Sequence, residues 1–184
     1  MDNGASSYRR FLDGQDEGIA EIVRTYKDGL ILYLNGFVKN IYTAEELAED
    51  TFFRLMVKKP SFSGRSTFKS WLYAIGRHVA VDHLRRSSRI ISEPIESMET
   101  LQDEESLERS YLGKEDRVML HRALKMLPAD YQQVLWLVYF EEMSNSEAAA
   151  VMRKNPRQIR NLLYRAKISL KAVLEKEGYI YEEF

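Results

Sequence analysis

The chain has 184 residues, no cysteine, and a formal net charge of −1 from 27 Lys/Arg and 28 Asp/Glu. With 45% hydrophobic and 30% charged residues it can bury a core, and it excludes a disulfide scaffold or a thiolate metal site. No stretch approaches eighteen apolar residues, which excludes a spanning helix, and the start MDNGASSYRR lacks the apolar run of a signal peptide.

In chain order, Ile19, Ile22, Val23, Tyr26, Leu30, Tyr33, Leu34 and Phe37 recur at three- and four-residue steps, the period of a helix. Gly29 and Gly36 weaken it by roughly 1 kcal/mol each. A second helix is expected over 44–58, with Thr43 and Glu46 as a capping box and Pro60 barring continuation. The loop PSFSGRS follows, then a helix over 67–86 capped by Ser66. Residues 87–113 are rich in acids and show no sustained periodicity, with nine acids over 87–116, which reads as a flexible acidic linker between two domains. Helical spacing resumes at Val118, Leu120, His121, Leu124 and Leu127 and stops at Pro128. ADYQQVLWLVYFEE reads as a buried helix. Ser144 and Glu147 form a capping box for the next helix. Asn155 as N-cap with Pro156 at the first position starts a last helix that ends near Lys176, before Gly178. The fold class is all-α: two small helical domains on an acidic tether, with no strand-like alternation and no internal repeat.

Charge is unevenly spread. Residues 144–171 hold seven bases and one acid, a composition suited to polyanions because neutralised phosphates release counterions. On the last helix Ile159, Leu162, Leu163, Ala166, Leu170, Val173 and Leu174 form an apolar stripe. Arg157, Arg160, Tyr164, Lys167 and Lys171 form a second, outer one, with Asn161 and Arg165 beside it. A short helix joined to it through Arg153-Lys154-Asn155 makes a helix-turn-helix, whose second helix reads the major groove. Arg suits guanine there, and Asn or Gln suits adenine. A solvated basic face without a ligand, or a lipid-facing helix, would give the same charge pattern.

The first half is less specific. On the 44–58 helix, Leu47, Ala48, Thr51, Phe52, Leu55 and Met56 form a core face, and Glu46, Glu49, Asp50, Phe53 and Val57 a second line that suits a basic protein partner. Burial of that helix on both sides is the alternative. In the next segment Phe62 and Tyr73 are the aromatics not claimed by the apolar stripe of Phe68 and Trp71. With Arg65, Lys69 and Arg77 nearby, they suit single-stranded nucleic acid. His78 and Asp82 lie four apart, but two ligands alone make a weak metal signal. No Gly-rich phosphate loop or nucleophile–base pair is visible, so neither enzyme chemistry nor a cofactor is expected.

Together, TAEELAEDTFFRLMVKKPSFSGRSTFKSWLYAIGRHVAVDHLRR and LHRALKMLPADYQQVLWLVYFEEMSNSEAAAVMRKNPRQIRNLLYRAKISLK resemble regions 2 and 4 of the extracytoplasmic-function RNA polymerase sigma factors of the sigma-70 family. The resemblance implies region 2 over 8–88, a linker over 89–113 and region 4 over 114–176. It implies a cytoplasmic, non-catalytic specificity subunit that directs core RNA polymerase to promoter DNA and helps to open it, regulated by an anti-sigma factor. It places polymerase docking on Leu47, Glu49, Asp50, Phe53 and Arg54. Capture of the −10 strand falls on Phe62, Ser63, Gly64, Arg65, Ser66, Lys69, Tyr73, Arg77 and His78. Reading of the −35 duplex falls on Arg157, Gln158, Arg160, Asn161, Tyr164 and Arg165. The chain departs from the common pattern at Ala74 (often Arg), His78 (often Asn), Arg153 (often Gly) and Leu162 (often Arg). The short tail EGYIYEEF is not expected to add a C-terminal domain. Two other functions remain open at this stage: a helix-turn-helix regulator that works without being a polymerase subunit, and a protein-binding adaptor whose basic face meets an acidic partner.

Overall fold

The computed structural model describes residues 3–88, 106–107, 109–111 and 115–178, all helix or connection and without a strand among them. The expected linker over 89–113 falls almost wholly outside the described residues, as does the tail after Gly178.

Four helices form the first unit: α1 (Asn3–Leu12), α2 (Glu17–Val38), α3 (Ile41–Lys58) and α4 (Phe68–Ser87). The central one is α2. Its run Leu30–Ile31–Leu32–Tyr33–Leu34 is buried on every side, which is why its sequence is apolar nearly all round. Sequence periodicity did not anticipate α1. It buries Tyr8 and Phe11, and the Tyr8 hydroxyl donates to the Pro60 carbonyl at 2.8 Å. A Cβ at Gly18 would come within 2.2 Å of the Ser7 carbonyl oxygen, so only glycine lets α1 and α2 approach this closely.

Two helix starts differ from expectation. The N-cap of α3 is Asn40, whose side chain accepts from the Thr43 backbone N–H at 2.8 Å, so Thr43 lies inside the helix. Lys39, left-handed at φ 57°, ends α2 and turns the chain so that Asn40 meets α3 first. The cap of α4 is Thr67, one residue after the expected Ser66, and it accepts from the Ser70 N–H.

The second unit holds α5 (Glu115–Lys125), α6 (Ala129–Leu135), α7 (Asn145–Met152) and α8 (Pro156–Lys176). Pro128 separates α5 from α6, and α6 runs on into a π-helical turn over Trp136–Phe140. Trp136 and Phe140 stack in that turn with centroids 4.3 Å apart. The expected capping box at Ser144/Glu147 is formed, and Asn155 caps α8 as expected, in a reciprocal box with Gln158 that the sequence reading did not anticipate.

The two units are not held by a tether alone. α2 and α4 pack on α6, the π turn and α7, and the buried side chains of both form one continuous cluster. Periodicity reveals that a helix has a buried stripe, not which neighbour buries it, so this seam was invisible in the sequence.

Candidate nucleic-acid and protein interfaces

The helix-turn-helix is built as the sequence implies. Arg153 ends α7 in the left-handed region, φ 54° and ψ 44°, its N–H bonded to the Ala149 carbonyl. A side chain there costs roughly 1 kcal/mol relative to glycine. Lys154 pairs with Asp130 of α6 at 3.4 Å and pins the turn to the unit's core. Asn155 and Gln158 then cap α8 reciprocally, each bond 2.8 Å. Gln158 is thereby partly committed to the cap.

Along α8, Ile159, Ala166 and Leu174 are buried, and Leu162, Leu163, Leu170 and Val173 pack against the core. Arg157, Gln158, Arg160, Asn161, Tyr164 and Arg165 are all exposed, Tyr164 at 68%. Lys167 lies over the Tyr139 ring at 5.2 Å, and Lys171 reaches Glu175 at 3.7 Å. The stretch from Arg157 to Arg165 therefore presents three arginines, two amides and a tyrosine outward with no acid among them.

On α3 the core face is Ala44, Leu47, Ala48, Thr51, Phe52 and Leu55. Leu47 is 4% exposed and lies in the core, where its stripe places it, beneath the docking face to which the resemblance assigns it. Met56, expected in the core, is exposed, as are Phe53 and Val57. The alternative of a helix buried on both sides is thus excluded. Phe53, Met56, Glu49 and Asp50 line a groove of about 430 Å³ with Val23 and Lys27 of α2. Arg54 is half-buried beside it.

The 60–67 loop leaves Ser63, Gly64 and Arg65 exposed, with Gly64 at φ 72°. Phe62 is not a free aromatic. It packs on Trp71 and Phe68 at 5.1 and 5.7 Å and is only partly accessible. Tyr73 corrects the expectation further. It is fully buried, its ring 5.2 Å from Tyr33, because α4 turns this side to the second unit and not to solvent. Burial and the neighbouring Glu141 carboxylate push its hydroxyl well above the ordinary value. Lys69 is half-buried and pairs with Glu141 at 2.9 Å. Arg77 is half-buried, its Nε enclosed without a hydrogen-bond partner. His78 contacts Asp82 at 3.2 Å and the Arg153 guanidinium at 3.3 Å. Among the described residues no group of three or more His, Asp or Glu could hold a metal.

Sequence reasoning missed Glu141. It follows a long apolar run with no periodic mark, yet it is the polar centre of the seam, accepting from Trp136 Nε1 at 3.2 Å as well as from Lys69.

The geometry has two protein halves with known counterparts. Residues 22–90 match the family model Sigma-70 region 2, and residues 117–170 match Sigma-70, region 4. The extracytoplasmic-function RNA polymerase sigma factor SigC of Mycobacterium tuberculosis is 32% identical over 142 residues, covering 77% of this chain and 75% of that protein. The chain belongs to the extracytoplasmic-function RNA polymerase sigma factors. RNA polymerase sigma factor YlaC of Bacillus subtilis is 29% identical over 166 residues, 87% of this chain and 94% of that one. Among solved structures, CnrH in complex with the cytosolic domain of CnrY shares the fold at TM-score 0.64 and 21% identity, over 96% and 97% of the two chains. Sigma factor RpoE in complex with the anti-sigma factor NepR from Bartonella quintana does so at TM-score 0.65 and 23% identity, over 85% and 96%. This sigma factor recognises promoters for RNA polymerase, and its family is one of non-catalytic initiation factors. No helix among the described residues is long and apolar enough to cross a membrane.

Proposed function

We propose that the outer face of α3 docks this sigma factor on core RNA polymerase, with Phe53 as anchor and Glu49, Asp50 and Arg54 around it. An exposed aromatic set in a groove beside acids has the make-up of an interface hot spot. The 62–66 loop, Lys69, Arg77 and His78 take up the non-template strand of the −10 element. Tyr73 joins them only after the seam has opened. Arg157, Gln158, Arg160, Asn161, Tyr164 and Arg165 read the −35 element as duplex, the cations supplying salt-dependent affinity and the arginine and amide groups the discrimination. The protein acts in the cytoplasm and needs no cofactor, and an anti-sigma factor controls it, as NepR partners RpoE.

The observation that carries this reading is the outward array on α8, free of acids, on the same chain as the exposed Phe53 groove. Run-off transcription with purified core polymerase tests it. Phe53→Ala weakens polymerase binding and spares the helix-turn-helix, and Arg160→Ala alters preference at one −35 position. Equal promoter-directed transcription by wild type and both variants would contradict it. Promoter-specific binding without polymerase, indifferent to Phe53, would favour a free-standing regulator.

A further inference from the structure

Three of the four positions at which the chain departs from the common family pattern meet in one place. Ala74, His78 and Arg153 line a cleft of about 320 Å³ between α4 and the end of α7, with Arg77, Asp82 and Arg85 beside them. That volume is in the range of small-molecule sites. Alanine at 74, where arginine is common, leaves space that a long side chain would fill. The other two departures add nitrogen donors to the wall.

The charge in the cleft is not balanced. Arg77, Arg85, Arg153 and the His78 imidazole face one carboxylate, Asp82. Asp82 is already divided, 3.2 Å from His78 Nε2 and 3.2 Å from the Arg85 guanidinium. Among the described residues neither Arg77 nor Arg153 has an acid partner, and Arg77 Nε is enclosed without a hydrogen-bond acceptor. A guanidinium can only donate, so His78 Nδ1 accepts from Arg153 at 3.3 Å and turns its Nε2–H to Asp82. Arg153 thus fixes the imidazole with one N–H and keeps its other donors for the cleft. It does so from a left-handed backbone, φ 54°, that glycine would adopt without strain.

We propose that this cleft binds a small phosphorylated ligand, of the pyrophosphate or nucleoside polyphosphate class, gripped by Arg77 and Arg85 from α4 and by Arg153 from the turn after α7. Guanidinium forks match phosphate oxygens, and an entering anion relieves the repulsion among the three cations. A terminal phosphoryl group brings up to two charges and three acceptor oxygens, whereas a phosphate of the DNA backbone brings one charge. Three guanidinium groups on one carboxylate suit the former. The site is independent of the strand-binding role proposed for Arg77 and His78, and a ligand in it would compete with a strand for both.

Calorimetric titration of the full chain with inorganic pyrophosphate tests the site. Wild type should bind one equivalent. Arg153→Gly relieves the left-handed backbone and should fold at least as well, yet lose about tenfold or more in affinity. Ala74→Leu, which fills the cleft, should also weaken binding. Arg160→Ala, on the outer face of α8, should bind as wild type does. Absence of saturable binding, or undiminished binding by Arg153→Gly, would overturn the proposal. So would an equal loss in Arg160→Ala, the mark of an adventitious ion only. Run-off transcription with core polymerase separates the two sources of phosphate. Arg153→Gly should transcribe at the wild-type level. Parallel losses of transcription and pyrophosphate binding would assign the cleft to a backbone phosphate and overturn the free ligand. Wild-type protein that binds pyrophosphate but directs no transcription would overturn the sigma reading and leave the site standing.

Discussion

α4 and α8 carry similar chemistry and meet opposite fates. Both interleave cations and tyrosine at helical spacing, and both read from sequence as nucleic-acid faces. On α8 the tyrosine at 164 is 68% exposed, whereas on α4 the tyrosine at 73 is fully buried. The difference lies in what each helix must also cover. α8 has one apolar stripe that satisfies the second unit and leaves its cationic side to solvent. α4 packs on α2 and α3 with one side and on α7 with another. A pattern of residue types therefore identifies a chemistry, but only packing decides whether that chemistry is available.

Four experiments would break or sharpen this contrast. The largest effect is expected for Ile159→Ala, which empties a fully buried site on the inner stripe of α8. Denaturant unfolding should show a loss of about 2–5 kcal/mol, and −35 binding should fail with the fold. Phe53→Ala should cost about 2 kcal/mol or more in affinity for core polymerase, measured by fluorescence titration. Because Phe53 is exposed, the unfolding midpoint of the chain should not move, and a large shift would return α3 to the core. Arg160→Ala should remove about 1–3 kcal/mol of discrimination at one −35 base pair. If Arg160 contacts phosphate and not a base, binding would instead weaken across all sequences alike, with a salt slope smaller by about one.

The smallest effect concerns pH. Burial pushes the Glu147 carboxyl up, but bonds from the Ser144 hydroxyl and backbone, with those from Thr67 and Ser70, outweigh it and hold it below the ordinary value. A depressed folded value means that its contribution is present above the carboxylate's unfolded value and is lost as pH falls through the folded one. Unfolding measured between neutral and acid pH should therefore show a small acid-side loss that Glu147→Gln removes.

Much of this was legible in the sequence. The caps at Ser144 and Asn155 and both stripes of α8 followed from local rules, because capping and amphipathicity are set by residues within one turn of each other. The left-handed Arg153 was foreseen as a conditional cost, and the structure places it there. The start of α3 was misplaced because Thr43 and Glu46 imitate a capping box, while Asn40, three residues earlier, captures the Thr43 N–H. The α1 helix went unread because its Tyr8 and Phe11 are too few to set a period. Tyr73 and Met56 were misassigned for one reason: adjacent faces of a helix differ in exposure only through their neighbours. Gly29 looked like a weak point in α2. Its use appears only when Glu141, more than a hundred residues away, is set against it.

The central claim is that this chain lends promoter preference to a polymerase through α8 and α3 together. Run-off transcription by core polymerase over a promoter library, with and without the protein, tests it most directly. The account predicts that start sites appear only with the protein, share one −35 and one −10 sequence, and vanish with Phe53→Ala. Start sites that are the same in its presence and absence would contradict it.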